Sequence, residues 1–341
     1  MQDIYLLLDY RGNFGSKYTA VPYRSGMDKA LLTEYFTALD YNPIFMSFTD
    51  IDLANDSYKD KIILYTSSED EGHYYKSFIE DVILALELTG AIVIPNFKYL
   101  RAHDNKVFME FLRNMSDLNE IKNIQSRGFG TWEELRKNIS SLPIPCVIKK
   151  TAGAMSSGVT RALTKNELLK KTAVFSQSVH HKTDLLDMVR SYLHKGYVKN
   201  STNRRKFIVQ NFIGGLQNDW KVLIFGDKYY ILYRGTRDND FRASGSGKFV
   251  FTKEIPAGIL DFALRIFQAM EVPCLSIDIA YDGHQFYLIE FQALYFGTTT
   301  IEKSPFYFAF NHSSWDLIEG KSILEKEYVS ALHQYILDHV K

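Results

Sequence analysis

The first hundred residues alternate between short apolar runs and longer segments whose apolar residues recur at helical spacing. Runs typical of strands lie at 4–8, 42–48, 61–65 and 91–95, and helical segments lie at 29–39 and 78–88. This alternation predicts a parallel sheet with helices on its faces. Ligands of such sheets bind beyond the carboxyl ends of the strands. Two of those ends are the polar segments 9–12 and 66–69.

The length and charge of the chain argue against several classes of protein. A chain of 341 residues is long for one hydrophobic core, so we expect two or three subdomains. Lys+Arg and Asp+Glu both number 40, and this balance argues against a broad nucleic-acid-binding surface. No apolar stretch reaches the ~18 residues of a membrane span, and the first residues do not resemble a signal peptide. We therefore expect a cytoplasmic protein with no nucleic-acid and no membrane partner.

The two cysteines, Cys146 and Cys274, each lie inside an apolar run. Two isolated cysteines make neither a disulfide framework nor a zinc site. They are predicted to be buried core thiols.

Helix and strand signals continue beyond residue 103. Helices are predicted at 104–114, 166–193, 259–270 and 323–340. Asp104 is the expected N-cap of the first of them. Strands are predicted at 146–150 and 207–213 and in two hairpins, whose turns contain Gly226-Asp227 and Asp282-Gly283.

A strand that ends in lysine runs directly into a loop of small residues. Lys149 closes the strand, and the loop continues to Gly158. Small residues let backbone N–H groups approach phosphate oxygens, and the lysine adds a positive charge. The loop is not a P-loop, because no Gly-Lys-Ser/Thr closes it. A lysine beside a flexible turn is the alternative interpretation.

Acidic residues lie inside the apolar strands of the second hairpin. Glu290 and Gln292 are two residues apart and share a face. A two-residue turn would put Asp278 on the opposite face, whereas a three-residue turn, 281–283, would put it on the same face. We favour the longer turn, because three oxygen-bearing side chains then converge as a magnesium ion requires. An edge hairpin with ordinary polar residues is the alternative.

Arg234 and Arg242 follow the first hairpin strands. Arginines in such positions can neutralise charge that develops during phosphoryl transfer. A lone arginine is more often a solvated surface residue.

Taken in order, these segments resemble the ATP-grasp superfamily, and within it the carboxylate–amine ligases of the ribosomal-protein glutamate ligase and glutathione synthetase type. The resemblance covers about residues 104–297. Family members show a helix lysine, a strand lysine before a lid loop, a hinge strand, Asp-x-Arg, two further arginines, a strand Asp and Glu-x-Asn. The matching residues are Lys106, Lys149, 152–158, 209–213, Asp219, Lys221, Arg234, Arg242, Asp278, Glu290 and Gln292.

The resemblance implies an α/β (α+β) chain with the ATP-grasp fold. Its expected parts are an N-terminal parallel α/β domain over 1–103, a lid subdomain over 104–213 and a metal-binding C-terminal subdomain over 214–341.

The resemblance also implies ATP and Mg²⁺ and a role for each matching residue. The phosphate-binding residues would be Lys106, Lys149, Ser156, Ser157 and Gly158. The residues around adenine and ribose would be Gln210, Asn211, Phe212, Ile213 and Asp219. The metal ligands would be Asp278, Glu290 and Gln292, and the catalytic cations would be Lys221, Arg234 and Arg242.

Several positions depart from the family pattern. Asn211 replaces the hinge glutamate, Lys221 replaces an arginine, and Gln292 replaces an asparagine. A lysine is a point charge instead of a fork, whereas a glutamine still offers an amide oxygen. The lid loop is also less rich in glycine than in relatives.

The implied activity is ATP-dependent ligation, in which a small-molecule carboxylate is activated as an acyl phosphate and joined to an amine. Two alternatives stay open at this point: a kinase of the same fold that phosphorylates a hydroxyl, and a non-catalytic ATP-binding regulatory module. The regulatory module would be expected to have lost the metal acids or the arginines. A homodimer is left open.

Overall fold

The computed structural model describes residues 1–153, 158–216, 218–236, 248–311 and 313–340. The chain divides into two compact units: Met1–His103 with Leu216–Lys341 forms the first unit, and Asp104–Gly215 forms the second. The three-part division predicted from the sequence is finer than this and stays a prediction.

The described residues form these strands: β1 (Gln2–Leu8), β2 (Tyr41–Ser47), β3 (Ile62–Tyr65), β4 (Ile92–Ile94), β5 (Ser126–Phe129), β6 (Cys146–Lys150), β7 (Val159–Ala162), β8 (Phe207–Asn211), β9 (Asn218–Phe225), β10 (Lys228–Gly235), β11 (Phe249–Val250), β12 (Cys274–Tyr281), β13 (Phe286–Gln292), β14 (Phe306–Phe310) and β15 (Trp315–Glu319).

They also form these α-helices: α1 (Lys29–Ala38), α2 (Tyr74–Leu88), α3 (Phe97–Ala102), α4 (Lys106–Met115), α5 (Trp132–Lys137), α6 (Lys165–Phe175), α7 (His181–Leu193), α8 (Ile259–Met270), α9 (Thr299–Lys303) and α10 (Leu324–His339).

The predicted parallel sheet is present in the first unit. Its strand order is β2-β1-β3-β4, and every neighbouring pair is parallel. All four residues of β3 are buried, as expected for a strand covered on both faces. Helix α1 begins at Asp28, whose side chain accepts hydrogen bonds from the backbone N–H groups of Ala30 and Leu31. Strand β1 and the helices thus follow the alternation read from the sequence.

The first unit also contains a seven-stranded sheet. Its order is β13-β12-β9-β10-β14-β15, with β11 paired to β10, and its neighbouring pairs are antiparallel. Residues 1–103 and 216–341 share one core, in which Leu6 and Phe36 belong to the same apolar cluster as Leu223, Tyr230 and Leu332. This shared burial of apolar surface explains why the two chain segments form one unit.

The second unit is built on an antiparallel sheet of order β5-β8-β6-β7. Its core joins Ile148 and Phe207 on the sheet to Leu135 on α5 and Leu168 on α6. Cys146 belongs to this core, and Cys274 belongs to the core of the first unit. Both are buried free thiols, as predicted, and burial raises the pKa of the Cys146 thiol to about 11.

Three local predictions were wrong. The polar segment that holds Gly128 and Gly130, which the sequence predicts to be a connector, contains strand β5 and is followed by helix α5. The expected helix 166–193 is two helices, because Ser176 ends α6 by donating its hydroxyl to the carbonyl of Thr172. The N-cap of α4 is Asn105, not Asp104, because Asp104 has a left-handed φ of 48° and the Asn105 side chain accepts from the N–H of Phe108.

None of the described helices combines the length and the apolar content that crossing a bilayer requires.

Candidate active site

Four adjacent strands of the seven-stranded sheet bring the predicted metal and charge-bearing residues onto one face. Register pairs Arg234 with Asp219, Lys221 with Asp278, and Asp278 with Glu290. Residues directly opposite on antiparallel strands point to the same side, as do residues two apart on one strand. We call this set the polar face; its members are Asp219, Lys221, Arg234, Ser276, Asp278, Glu290 and Gln292.

The turn of the second hairpin differs from the prediction. Four residues, 282–285, connect β12 and β13, so the predicted three-residue turn is wrong. The carboxylate of Asp282 stabilises the longer turn by accepting hydrogen bonds from the N–H groups of His284 and Gln285, both at 2.9 Å.

A β-bulge corrects the register that the longer turn would otherwise impose. Ile279 pairs with Leu288, whereas Asp278 pairs with Glu290, so β13 carries one extra residue at Ile289. Without that shift, Asp278 and Glu290 would lie on opposite faces. The bulge therefore places Asp278, Glu290 and Gln292 on the same side of the hairpin.

Arg234 connects two carboxylates of the polar face. The guanidinium is 6% exposed. Its Nε and Nη2 donate to the two oxygens of Asp219 at 2.5 and 2.8 Å, and Nη2 lies 2.7 Å from Oδ2 of Asp278. Lys221 donates to the hydroxyl of Ser276 at 2.8 Å and lies 3.6 Å from Oδ1 of Asp278. Two cations thus balance the carboxylate of the buried Asp219 and that of Asp278, whose side chain is 15% exposed.

The two aspartates hold their protons differently. Burial has the largest effect on Asp219 and raises its pKa to about 6, although the attraction of Arg234 opposes this. Burial also acts to raise the pKa of Asp278, but the attractions of Arg234 and Lys221 outweigh it, so the pKa of Asp278 is lowered. Asp278 therefore stays ionised to lower pH than Asp219 does.

The polar face offers side-chain oxygens that could bind a magnesium ion. Oδ1 of Asp278 is buried and accepts no hydrogen bond within the described part of the chain. No group of three His, Cys, Asp or Glu side chains suited to a metal occurs among residues 1–153, 158–216, 218–236, 248–311 and 313–340. A site here would combine Asp278 and Glu290 with the amide oxygen of Gln292. These are the oxygen ligands that Mg²⁺ prefers, so the residues fit the ion.

The second unit ties the start of α4 to the loop after β6. The backbone N–H of Lys106 donates to the carbonyl of Thr151 at 3.1 Å, and its ammonium donates to the carbonyl of Gly153 at 3.2 Å. The carboxylate of Asp104 accepts from the N–H of Gly153 at 2.8 Å. Lys106 and the loop therefore belong to one local arrangement.

Lys149 and Gln210 lie on the same face of the antiparallel sheet in the second unit. Lys149 pairs with Ile208, and Val147 pairs with Gln210. Both Lys149 and Gln210 are buried. The side chain of Gln210 donates to Oε1 of Glu110 at 3.0 Å, a buried contact that the sequence did not indicate. The sequence signal for this contact would have been Glu110, an acidic residue among the apolar residues of α4, which needs a polar partner when it is buried.

The remaining hinge residues have structural partners of their own. Asn211 extends the pairing of β8, since its amide oxygen accepts from the N–H of Gln125 at 2.8 Å. The N–H of Phe212 donates to the carbonyl of Pro145 at 3.3 Å. The predicted residues Ser156, Ser157 and Arg242 lie outside the described residues.

Gly158 closes the loop after β6. Its carbonyl accepts from the N–H of Lys150 at 2.8 Å. A Cβ at this position would lie 2.9 Å from the Cβ of Lys150, so a larger residue would force the two segments apart.

The carboxyl ends of β1 and β3 carry a second polar cluster. The hydroxyl of Ser67 lies 2.9 Å from Nδ1 of the buried His103, and Nε2 of His103 lies 3.4 Å from Oε1 of Glu69. The hydroxyl of Thr66 accepts from the N–H of Gly15 at 3.1 Å. The sequence identified the segment 66–69 as a strand end, but not the approach of His103.

No protein-family model matches the chain, and no curated protein matches it. Solved structures do match. A RimK domain ATP-grasp protein from Sphaerobacter thermophilus aligns with 98% of this chain and 99% of its own, at 13% identity and a TM-score of 0.53. The chain has the ATP-grasp fold.

Two further ATP-grasp structures agree. The D-cycloserine synthetase DcsG aligns with 97% of this chain and 99% of its own, at 10% identity and a TM-score of 0.55. A RiPP-associated ATP-grasp ligase from Chryseobacterium gregarium, solved with ADP and with a leader and core peptide, aligns with 100% of this chain and 98% of its own, at 14% identity and a TM-score of 0.54. The predicted fold class is confirmed, and the polar face lies on the large antiparallel sheet of this fold.

Replacing Arg234 with methionine should destabilise the protein by roughly 3–5 kcal/mol, because two buried carboxylates then lose their shared cation. Loss of the guanidinium also raises the folded-state pKa of Asp278 above the unfolded value, and it raises the pKa of Asp219, which is already about 6, still further. Protonation then relieves their repulsion, so the deficit should shrink as the pH falls from about 7 to about 5. Urea unfolding at several pH values measures both effects.

Arg136 on α5 is exposed and provides the matched control. Arg136→Met should change the free energy of unfolding by less than about 0.5 kcal/mol at every pH. A small, pH-independent loss for Arg234→Met would show that the shared guanidinium does not hold the polar face together.

Proposed function

We propose that this protein is an ATP-dependent ligase that activates a carboxylate as an acyl phosphate and joins it to an amine. The observation that carries the proposal is the polar face, which sets three carboxylates and an amide beside a buried arginine and a lysine. This combination suits a metal-bound phosphate and the negative charge that develops on it. The neighbours of the same fold support it, since they include a synthetase and a ligase.

We assign the phosphates of ATP to cations and small residues of the second unit. The proposed ligands are Lys106, Lys149, Ser156, Ser157 and Gly158. The contacts of Lys106 with Thr151 and Gly153 support the assignment, because they hold the base of the loop next to the start of α4. Gln210, Asn211, Phe212 and Ile213 would frame adenine, chiefly through backbone groups, and Asp219 would serve the ribose.

We assign Mg²⁺ to Asp278, Glu290 and Gln292. The buried oxygen of Asp278 that accepts no hydrogen bond in the described structure supports this assignment. When bound, the ion would neutralise charge on the phosphate oxygens. Arg234 and Lys221 keep Asp278 ionised and therefore ready to act as a ligand.

The proposed reaction has two steps. A carboxylate oxygen of the substrate attacks the γ-phosphorus of ATP, and ADP leaves. The amine nitrogen then attacks the acyl carbon, phosphate leaves, and the nitrogen loses a proton. Arg234, Lys221 and Arg242 would stabilise the negative charge of the transferring group. No side chain acts as a nucleophile, because positioning and electrostatics supply most of the catalysis.

The substrates are proposed to be a small-molecule carboxylate and an amine. The polar cluster of Ser67, Glu69 and His103 supports a contact point for one of them, because ligands of parallel sheets bind beyond the carboxyl ends of the strands. A peptide is the second candidate, since the Chryseobacterium gregarium ligase was solved with a leader and core peptide.

A screen of carboxylates against amines should show rapid ADP release only when both partners are present with ATP and Mg²⁺. An acyl phosphate is reactive toward water, so a ligase restricts its formation and keeps it dry. Mass spectrometry should then find an amide product and free phosphate. A stable phosphate ester from a hydroxyl substrate would contradict the ligase and indicate a kinase, and ATP binding with no turnover on any pair would favour the regulatory module.

Replacing Lys149 with alanine should weaken ATP binding roughly tenfold or more, because a charge-assisted contact with phosphate is lost. Isothermal titration calorimetry with ATP and Mg²⁺ measures the change. Lys150→Ala is the matched control, since Lys150 is the next residue of β6, is exposed, and lies over the ring of Phe175. Equal affinities for the wild type and a folded Lys149→Ala variant would remove Lys149 from the site.

A further inference from the structure

Helix α7 turns one polar side chain toward the loop that follows the helix. Asp187 is buried, and its oxygens accept hydrogen bonds from the hydroxyl of Tyr197 at 2.7 Å and from the N–H and side-chain amide of Asn200 at 2.7 and 2.9 Å. Among the residues of α7, Asp187 is the buried one. The buried side chain of the helix is therefore a carboxylate that binds the loop after α7, and not an apolar residue.

The apolar residues of α7 point to solvent. Six side chains of the helix are between 44% and 87% exposed: Leu185, Leu186, Met188, Val189, Tyr192 and Leu193. At 3.6 residues per turn they span an arc of about 160° around the helix axis. We call them the apolar arc. A surface helix normally buries such an arc, and a contiguous exposed apolar patch marks an interaction site.

Helix α7 itself carries two basic and two acidic residues, but the wider segment 180–205, which includes the loop after the helix, is positively charged. From 180 to 205 it contains six lysines and arginines, all exposed: Lys182, Arg190, Lys195, Lys199, Arg204 and Arg205. It contains two aspartates, so its formal charge is six minus two, or +4, in a chain whose net charge is zero. Asp187 is buried, and Asp184 accepts from the N–H of His180 at 2.7 Å.

The charge favours one kind of occupant for the apolar arc. A second copy of this chain is disfavoured, because a two-fold contact would bring two segments of charge +4 together. The arc lies on the outer side of a single helix, so it is convex. Of the described helices and strands, none packs extensively against α7. A lipid bilayer requires no shape complementarity, and an exposed apolar arc beside a basic segment fits its interface.

We propose that α7 docks the protein on the surface of an anionic lipid bilayer. The apolar arc enters the boundary between head groups and acyl chains, and the surrounding lysines and arginines contact the lipid phosphates. The contact is peripheral, since none of the helices within the described ranges could span the bilayer. It departs from the expectation of no membrane partner, which was based on the lack of a spanning segment, and it is independent of the ligase activity.

Co-sedimentation of the full chain with sucrose-loaded vesicles tests the proposal. Binding to vesicles of phosphatidylcholine and phosphatidylglycerol at about 7:3 should exceed binding to pure phosphatidylcholine at least about tenfold, and should weaken as salt is raised. The double variant Leu186→Glu/Leu193→Glu should lose at least about tenfold in binding, because two charges enter the arc. A Tyr192→Trp reporter should show a blue-shifted emission on anionic vesicles.

The matched control is Leu88→Glu/Leu337→Glu, which changes two leucines of the first unit that are 79% and 64% exposed. It should bind vesicles as the wild type does, and thermal unfolding should show both double variants folded. Equal binding to neutral and anionic vesicles would overturn the proposal, and so would unchanged binding of the arc variant. Self-association that the arc variant abolishes, without vesicle binding by the wild type, would assign the arc to a second copy instead.

Discussion

The guanidinium of Arg234 is the interaction on which the polar face depends. From β10 it bonds Asp219 on the neighbouring strand β9 and reaches past that strand to Asp278 on β12. Buried carboxylates are costly without a paired cation, and the single arginine serves both. Because Asp278 stays ionised in this arrangement, the same contact that stabilises the sheet also prepares a ligand for a cation.

Strand register decides whether that arrangement can exist at all. The alternation of apolar and polar residues was sufficient to predict β12, β13 and the shared face of Glu290 and Gln292. It was not sufficient for the turn, since the carboxylate of Asp282 selects a four-residue connection, nor for the bulge at Ile289. Relative to the predicted turn, the observed turn shifts the partner of Ala280 by three residues, and the bulge adds one more. The total shift is even, so Asp278 and Glu290 share a face as predicted, although the predicted turn was wrong.

Contacts between segments distant in sequence were the part that the sequence could not supply. The positions of Lys106 and Lys149 followed from local patterns, but the approach of Lys106 to Gly153 depends on how the loop after β6 folds back. The partnership of Gln210 with Glu110 joins residues 100 positions apart. Helix α7 is a second example. The spacing of its residues was sufficient to predict a helix, but not to predict that its apolar arc faces solvent.

The most direct test of this account is whether the polar face binds a divalent cation together with a nucleotide. Electron paramagnetic resonance can follow the binding of Mn²⁺, as a substitute for Mg²⁺, in the presence of ADP. We expect the wild type to bind Mn²⁺ with ADP, Glu290→Gln to bind it at least about tenfold more weakly, and the exposed control Glu254→Gln to bind it as the wild type does. Unchanged Mn²⁺ affinity in a folded Glu290→Gln variant would contradict the assignment of the polar face as the metal site.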